Sequence, residues 1–107
     1  MGCNGFRFTS SAEEDLDGIL DYITNRLSNP IAAASFYSEL TNEINGICNY
    51  PGSGSPVDND FISDKRVRKV LVGNYIMFYR FLDDINKIEI LRIIYGKRNP
   101  DKFNNIE

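Results

Sequence analysis

The residues in this chain best suited to chemistry are cations gathered late in the sequence. Lys65, Arg66, Arg68 and Lys69 stand almost side by side, and Lys97 and Arg98 form a second pair near the end. Clusters of this kind bind phosphate or an acidic partner, because a guanidinium presents a planar fork of donors that an oxyanion can accept in pairs. The competing reading is a solvated strand whose charges keep its edge from pairing. On a strand, Arg66 and Arg68 would point one way and Lys69 the other, so only part of the cluster can act together. Tyr75, Tyr79 and Tyr95 have rings that could stack on bases or phenols that could carry a proton, although half-buried strand tyrosines more often complete a core. Arg80 and Arg92 lie in apolar runs, where each charge needs Glu89, an aspartate or a target.

What is missing narrows the chemistry further. Histidine is absent, which removes the usual general base and excludes serine–histidine and cysteine–histidine hydrolases. Cys3 and Cys48 make no CxxC or other ligand spacing, so neither a zinc site nor a disulfide framework is expected. Cys48 reads as a small apolar residue closing a helix, and Cys3 as a thiol in a disordered start. Glu13, Glu14, Asp17 and Asp21 suit the positive end of a helix as a solvated face, not as a cation site. No metal and no cofactor are expected.

Positioning these residues requires a scaffold, and the pattern predicts one. Phe6-Arg7-Phe8-Thr9 alternates as a short strand, and Ser11-Ala12-Glu13-Glu14 has capping-box spacing. Leu16, Ile19, Leu20, Ile23 and Leu27 then share one helical face. Asn29-Pro30 ends that helix and starts another, with asparagine as N-cap and proline in the first turn. Ala33, Phe36, Tyr37, Leu40, Ile44 and Ile47 continue the helical spacing to about Asn49, predicting an antiparallel hairpin. Residues 50 to 64, with Pro51, Gly52, Gly54 and Pro56, read as a long loop. Strands follow over Val67 to Val72, Tyr75 to Leu82 and Lys87 to Tyr95, joined by turns at Gly73-Asn74 and Asp83 to Asn86. Apolar residues on both faces of the middle strand suit a central position.

At 107 residues, 42% hydrophobic and 25% charged, the chain is expected to form one domain spanning 1–107. No run approaches the roughly 18 apolar residues of a membrane helix, and the first residues lack a signal peptide's basic and apolar regions, so a cytoplasmic protein without membrane contact is expected. The net charge of −3 hides a strong asymmetry: of 12 basic residues only Arg7 and Arg26 precede residue 65.

The predicted architecture is α+β, in the order β-α-α-β-β-β, with the helical hairpin packed on a twisted antiparallel sheet. This order resembles the RelE/ParE toxins, the plasmid-stabilisation toxins of type II toxin–antitoxin systems. The residues carrying the resemblance run through nearly the whole chain: Ser11 to Leu16 with Ile19, Tyr22 and Ile23; Asn29-Pro30 with Ala32, Ala33 and Phe36; Tyr50-Pro51 and Gly54; Asn74 to Arg80; and Ile90 to Arg98. The resemblance implies a growth inhibitor neutralised by a cognate antitoxin that lays a helix or strand across it. Some members act as ribosome-dependent nucleases on messenger RNA; others inhibit DNA gyrase without cutting nucleic acid. The nuclease branch often carries an arginine where this chain has Ile76. The stretch Tyr75 to Arg80, Arg92 and the Tyr95-Gly96-Lys97-Arg98-Asn99 ending look more ParE-like, although histidine is common at the position of Tyr95 and aspartate at that of Asn99. The implied target-binding residues are Arg66, Arg68, Lys69, Lys97 and Arg98, with gyrase favoured. In the nuclease alternative Arg68, Lys69 and Arg98 would stabilise phosphate charge and Tyr95 would carry a proton.

Overall fold

The computed structural model describes residues 3–57 and 64–96. Strand β1 spans Phe6–Phe8, and helix α1 spans Ser10–Asp21 and runs on into one wide π-helical turn over Tyr22–Arg26. The cap of α1 is Thr9, not Ser11: its hydroxyl accepts from Ala12 N at 3.1 Å and donates to Leu91 O at 2.9 Å, which ties the helix start to the sheet. The widened turn alters the helical phase, so Leu27, expected on the inner face, is 55% exposed, whereas Ile19 and Ile23 are buried. Helix α2, Pro30–Asn49, begins as the sequence predicts, with the Asn29 side chain accepting from Ala32 N at 3.1 Å and Pro30 in the first turn. Its inner stripe is Ala33, Phe36, Leu40, Ile44 and Ile47, while Tyr37, adjacent to that stripe, faces out.

Strands β3 (Arg68–Val72), β4 (Tyr75–Leu82) and β5 (Lys87–Tyr95) form the antiparallel meander. Two features correct the expectation of a purely antiparallel sheet preceded by a plain loop. β1 pairs in parallel with β5, and Ser55–Pro56, inside the expected loop, forms a short strand, β2, antiparallel to β3. The described sheet is therefore mixed and five-stranded, in the order β1-β5-β4-β3-β2. Parallel pairing of β1 follows from its exit: the chain passes straight from Phe8 into a helix that crosses one face, which needs no hairpin.

A bulge at Leu91 decides which side chains reach the core. Phe78 pairs with Arg92 but Tyr79 with Ile90, so one residue is extra on β5. This places Ile88, Ile90 and Ile93 all in the cluster beneath the helices, with Leu40, Met77 and Tyr79. Leu91 is sent instead to the opposite face, where it packs with Phe78 and Val67, flanked by Val57, Ile76 and Ile94. Beyond Ile90 the outer edge of β5 has no β1 partner, and Asp15 of α1 closes it by accepting from Ile93 N at 2.9 Å and from Arg92 Nε at 2.7 Å. That ion pair raises the Arg92 pKa and gives its charge a structural role.

The cysteines also overturn an expectation. Cys3 and Cys48 are joined as a disulfide, with Cα atoms 5.0 Å apart. The backbone explains the meeting: Cys3 N donates to Cys48 O at 2.9 Å, and Asn4 N to Asn86 O at 2.6 Å. The start of the chain is thus stitched to the end of α2 and to the β4–β5 turn, a proximity that residue spacing alone does not disclose.

Candidate basic groove beside the sheet edge

Tyr79 organises the site. Its ring is wholly buried, and its hydroxyl donates to Pro51 O at 2.9 Å while accepting from Gly54 N at 3.0 Å. Burial raises the phenol pKa, so it remains a neutral donor that pins both arms of the loop following α2. Gly54 fits only because it lacks a side chain: a Cβ there would lie 2.5 Å from Tyr79 Oη and 2.8 Å from Lys69 O. Arg68 then reaches across, with Nη1 donating to Gly54 O at 2.7 Å. The core reading of Tyr79 stands, with a positioning role in addition.

The loop held in this way separates two grooves. One, of about 260 Å³, is lined by Pro51, Gly52, Lys65, Arg66, Arg68 and Phe81, with Asp83 at its margin. The other, of about 460 Å³, is lined by Ser53, Gly54, Ser55, Lys69, Val70 and Leu71, with Ile76 beneath. Arg66 and Arg68 therefore share one groove while Lys69 belongs to the other, as strand alternation requires, although Arg66 lies in the turn before β3 and not on the strand itself.

Asp64, which no local periodicity marks, holds Arg66 at the basic groove and ties it to Arg80. It accepts from Arg66 Nε at 3.1 Å and Nη2 at 2.9 Å, and from Arg80 Nη1 at 2.7 Å. Arg80 continues to Glu89 at 2.7 Å, and Glu89 to Arg7 at 3.2 Å, so a chain of alternating charges crosses the sheet face away from the helices. The bonds from Arg66, more than those from Arg80, hold the Asp64 carboxyl well below the usual carboxylate range, against the opposing effect of burial. Burial would lower the Arg80 pKa, but its bonds to Asp64 and Glu89 outweigh that and raise it. The readable signal was an aspartate directly before Lys65-Arg66.

A depressed aspartate pKa contributes stability that is fully present above the unfolded value of about 4 and is lost as pH falls from there toward the lower folded value. Asp64→Asn should therefore lower the urea midpoint at pH 7, and its deficit against the parent should shrink steadily on acidification below about pH 4. Urea melts across that range test this; a deficit independent of pH would mean that Asp64 acts through packing and not through charge.

Tyr95, the candidate proton carrier, is 40% exposed and lies edge-on to Tyr75, ring centroids 5.5 Å apart, with Tyr75 in turn against Phe36. In register Tyr95 pairs with Tyr75 whereas Arg68 pairs with Tyr79, which separates the two by ~13 Å along the strands alone. The sheet does not bring Tyr95 to Arg68. Lys97 and Arg98 lie outside the described residues. Among the described residues no group of three His, Cys, Asp or Glu side chains converges to hold a metal ion, and no helix is long and apolar enough to cross a membrane.

Comparison with known proteins agrees with this geometry. Residues 6–100 match the family model described as the ParE toxin of the type II toxin–antitoxin system parDE. Among solved structures, the fold is similar to that in the chromosomal ParDE toxin–antitoxin system from P. aeruginosa, with a TM-score of 0.66 and 20% identity over 87% of this chain and 96% of that one. It is also similar to that in the RelBE2 toxin–antitoxin complex from Mycobacterium tuberculosis, with a TM-score of 0.61 and 20% identity over 89% and 93% of the respective chains. No curated protein sequence matches the chain.

Proposed function

The chain belongs to the ParE toxin family of type II toxin–antitoxin systems, and from that premise we propose that it is a cytoplasmic growth inhibitor that acts by binding DNA gyrase and is silenced by a cognate antitoxin. The observation that carries the choice of gyrase is the surrounding of Ile76. This position, where the nuclease branch often places an arginine, packs with Val57 and Ile94 against Val67, Phe78 and Leu91. A phosphate-cleaving site needs fixed positive charge aimed at the reacting group, and here the sheet presents an apolar surface. Several cations are already engaged by acceptors: Arg66 and Arg80 share Asp64, Arg92 binds Asp15, and Arg68 spends one nitrogen on Gly54 O. Such an arrangement suits recognition of an acidic or phosphate-bearing surface better than bond breaking. In this reading Arg66, Arg68, Lys69, Lys97 and Arg98 form the target-binding set.

The antitoxin is expected at the outer edge of β3. Strand β2 pairs only with Arg68 and Lys69, so among the described residues the edge from Val70 to Val72 has no partner. Leu71 is 66% exposed there, and Leu71 and Lys69 both line the larger groove. An exposed apolar residue on an open edge invites an added strand, and Lys69 favours an acidic neighbour on it. Coexpression with the product of the adjacent gene should therefore rescue growth and yield a copurifying complex, which Leu71→Asp should weaken at least tenfold. Growth arrest that the adjacent gene product never relieves would refute the antitoxin reading.

A further inference from the structure

Cys3 and Cys48, the chain's only cysteines, are both partly exposed. Their link closes a 45-residue separation that contains β1, α1 and nearly all of α2. Cys48 lies in the last turn of α2, and the segment leaving it passes directly through Pro51 and Gly54, the residues held by Tyr79 and Arg68 that divide the two grooves. A covalent tie here therefore restrains the element from which the candidate site is built.

We propose that the Cys3–Cys48 pair is a thiol–disulfide exchange site, opened by low-molecular-weight thiols and closed by low-molecular-weight disulfides, whose state governs the order of the Pro51–Gly54 segment and the stability of the free toxin. This rests on the cytoplasmic location proposed above, a reducing compartment in which disulfides are transient, so that a tie at this position responds to conditions and is not permanent. Opening consumes two thiols and returns one external disulfide: the protein disulfide plus two RSH gives two cysteine thiols plus RSSR. The incoming thiolate attacks the Cys48 sulfur and expels Cys3 as thiolate, because an anion on Cys48 would face the negative end of α2. A second thiolate then attacks the external sulfur of this mixed disulfide, forming RSSR and releasing Cys48 as a thiolate that takes up a proton. Closure runs the same steps backward, with oxidised glutathione as oxidant.

The experiment uses the full chain incubated with oxidised glutathione or with a phosphine reductant, alkylated for mass analysis, melted, and followed by amide hydrogen exchange. After oxidised glutathione no alkylatable thiol is expected, and after reductant two. Reduction should lower the melting midpoint by about 10–25 °C, as expected on opening a loop of this length, and should speed exchange in residues 48–56 more than in β4. Cys3→Ser should melt like the reduced parent and ignore reductant. Two free thiols after oxidised glutathione, or a parent midpoint that reductant does not move, would overturn the proposal. A lowered midpoint with unaltered exchange across 48–56 would overturn the link to the grooves. These readouts concern thiols and backbone, so they stand or fall independently of whether gyrase is the target.

Discussion

Leu40→Ala should lower the unfolding free energy by about 2–5 kcal/mol, because it empties a wholly buried position between the helical hairpin and the sheet. Leu40 faces a cluster supplied by both helices and by the inner faces of the three longest strands, so neighbours cannot relax into the space without moving elements that are fixed by hydrogen bonds. A chain this short has a folding free energy of only about 5–15 kcal/mol, and the loss would be a large fraction of it. Leu27→Ala is the matched control: at 55% exposure it should alter stability by less than about 0.5 kcal/mol. Chemical denaturation of both variants decides the matter. Equal effects would mean that the helices meet the sheet through another face.

Toxicity should depend on arginine at positions 68 and 98 while folding does not. Arg68 spends one guanidinium nitrogen on Gly54 O and lies in the smaller groove, which leaves the rest of its fork for a target oxyanion. Losing a charge-assisted hydrogen bond costs about 1.5–3 kcal/mol, enough to weaken target binding by roughly 10- to 100-fold. Arg98→Ala and Arg68→Ala should therefore permit growth on induction at levels where the parent arrests it, and lysine should rescue poorly because it lacks the planar fork. Thermal melts separate function from fold. A folded Arg98→Ala chain as toxic as the parent would remove Arg98 from the binding set and leave the groove lined by Lys65, Arg66 and Arg68 as the remaining candidate.

The parts of the fold that were legible in the sequence share a physical cause: they are set by local periodicity and turn chemistry. Asn29-Pro30 starts α2 where an N-cap and an N-terminal proline should, and Gly73-Asn74 closes the β3–β4 hairpin with Gly73 at φ 59°. Pairings between distant segments were not legible. The parallel register of Phe6–Phe8 against Ile88–Ile90 and the meeting of Cys3 with Cys48 depend on the whole chain being folded. The helical period does not carry through to Leu27 because the π-helical turn breaks the 3.6-residue repeat, and Ser55–Pro56 carries no strand signal because a two-residue strand has no pattern to detect. In the site, alternation accounts for the division of Arg68 from Lys69, whereas Arg66 lies in the turn before β3, where strand alternation does not apply. Asp64 is invisible to local periodicity because its importance comes from four hydrogen bonds, three from Arg66 across a tight turn and one from Arg80, which it meets only in space.

The most direct test of the central claim is a supercoiling assay with purified gyrase and relaxed plasmid, titrated with this chain alone and with the chain bound to the product of its adjacent gene. The free chain should cause a dose-dependent loss of supercoiling, with full activity when the partner is present and ribosome-bound messenger RNA left intact in a parallel reaction. Unimpaired supercoiling at all doses, together with cleavage of the ribosome-bound message, would contradict the gyrase reading and establish the nuclease reading instead.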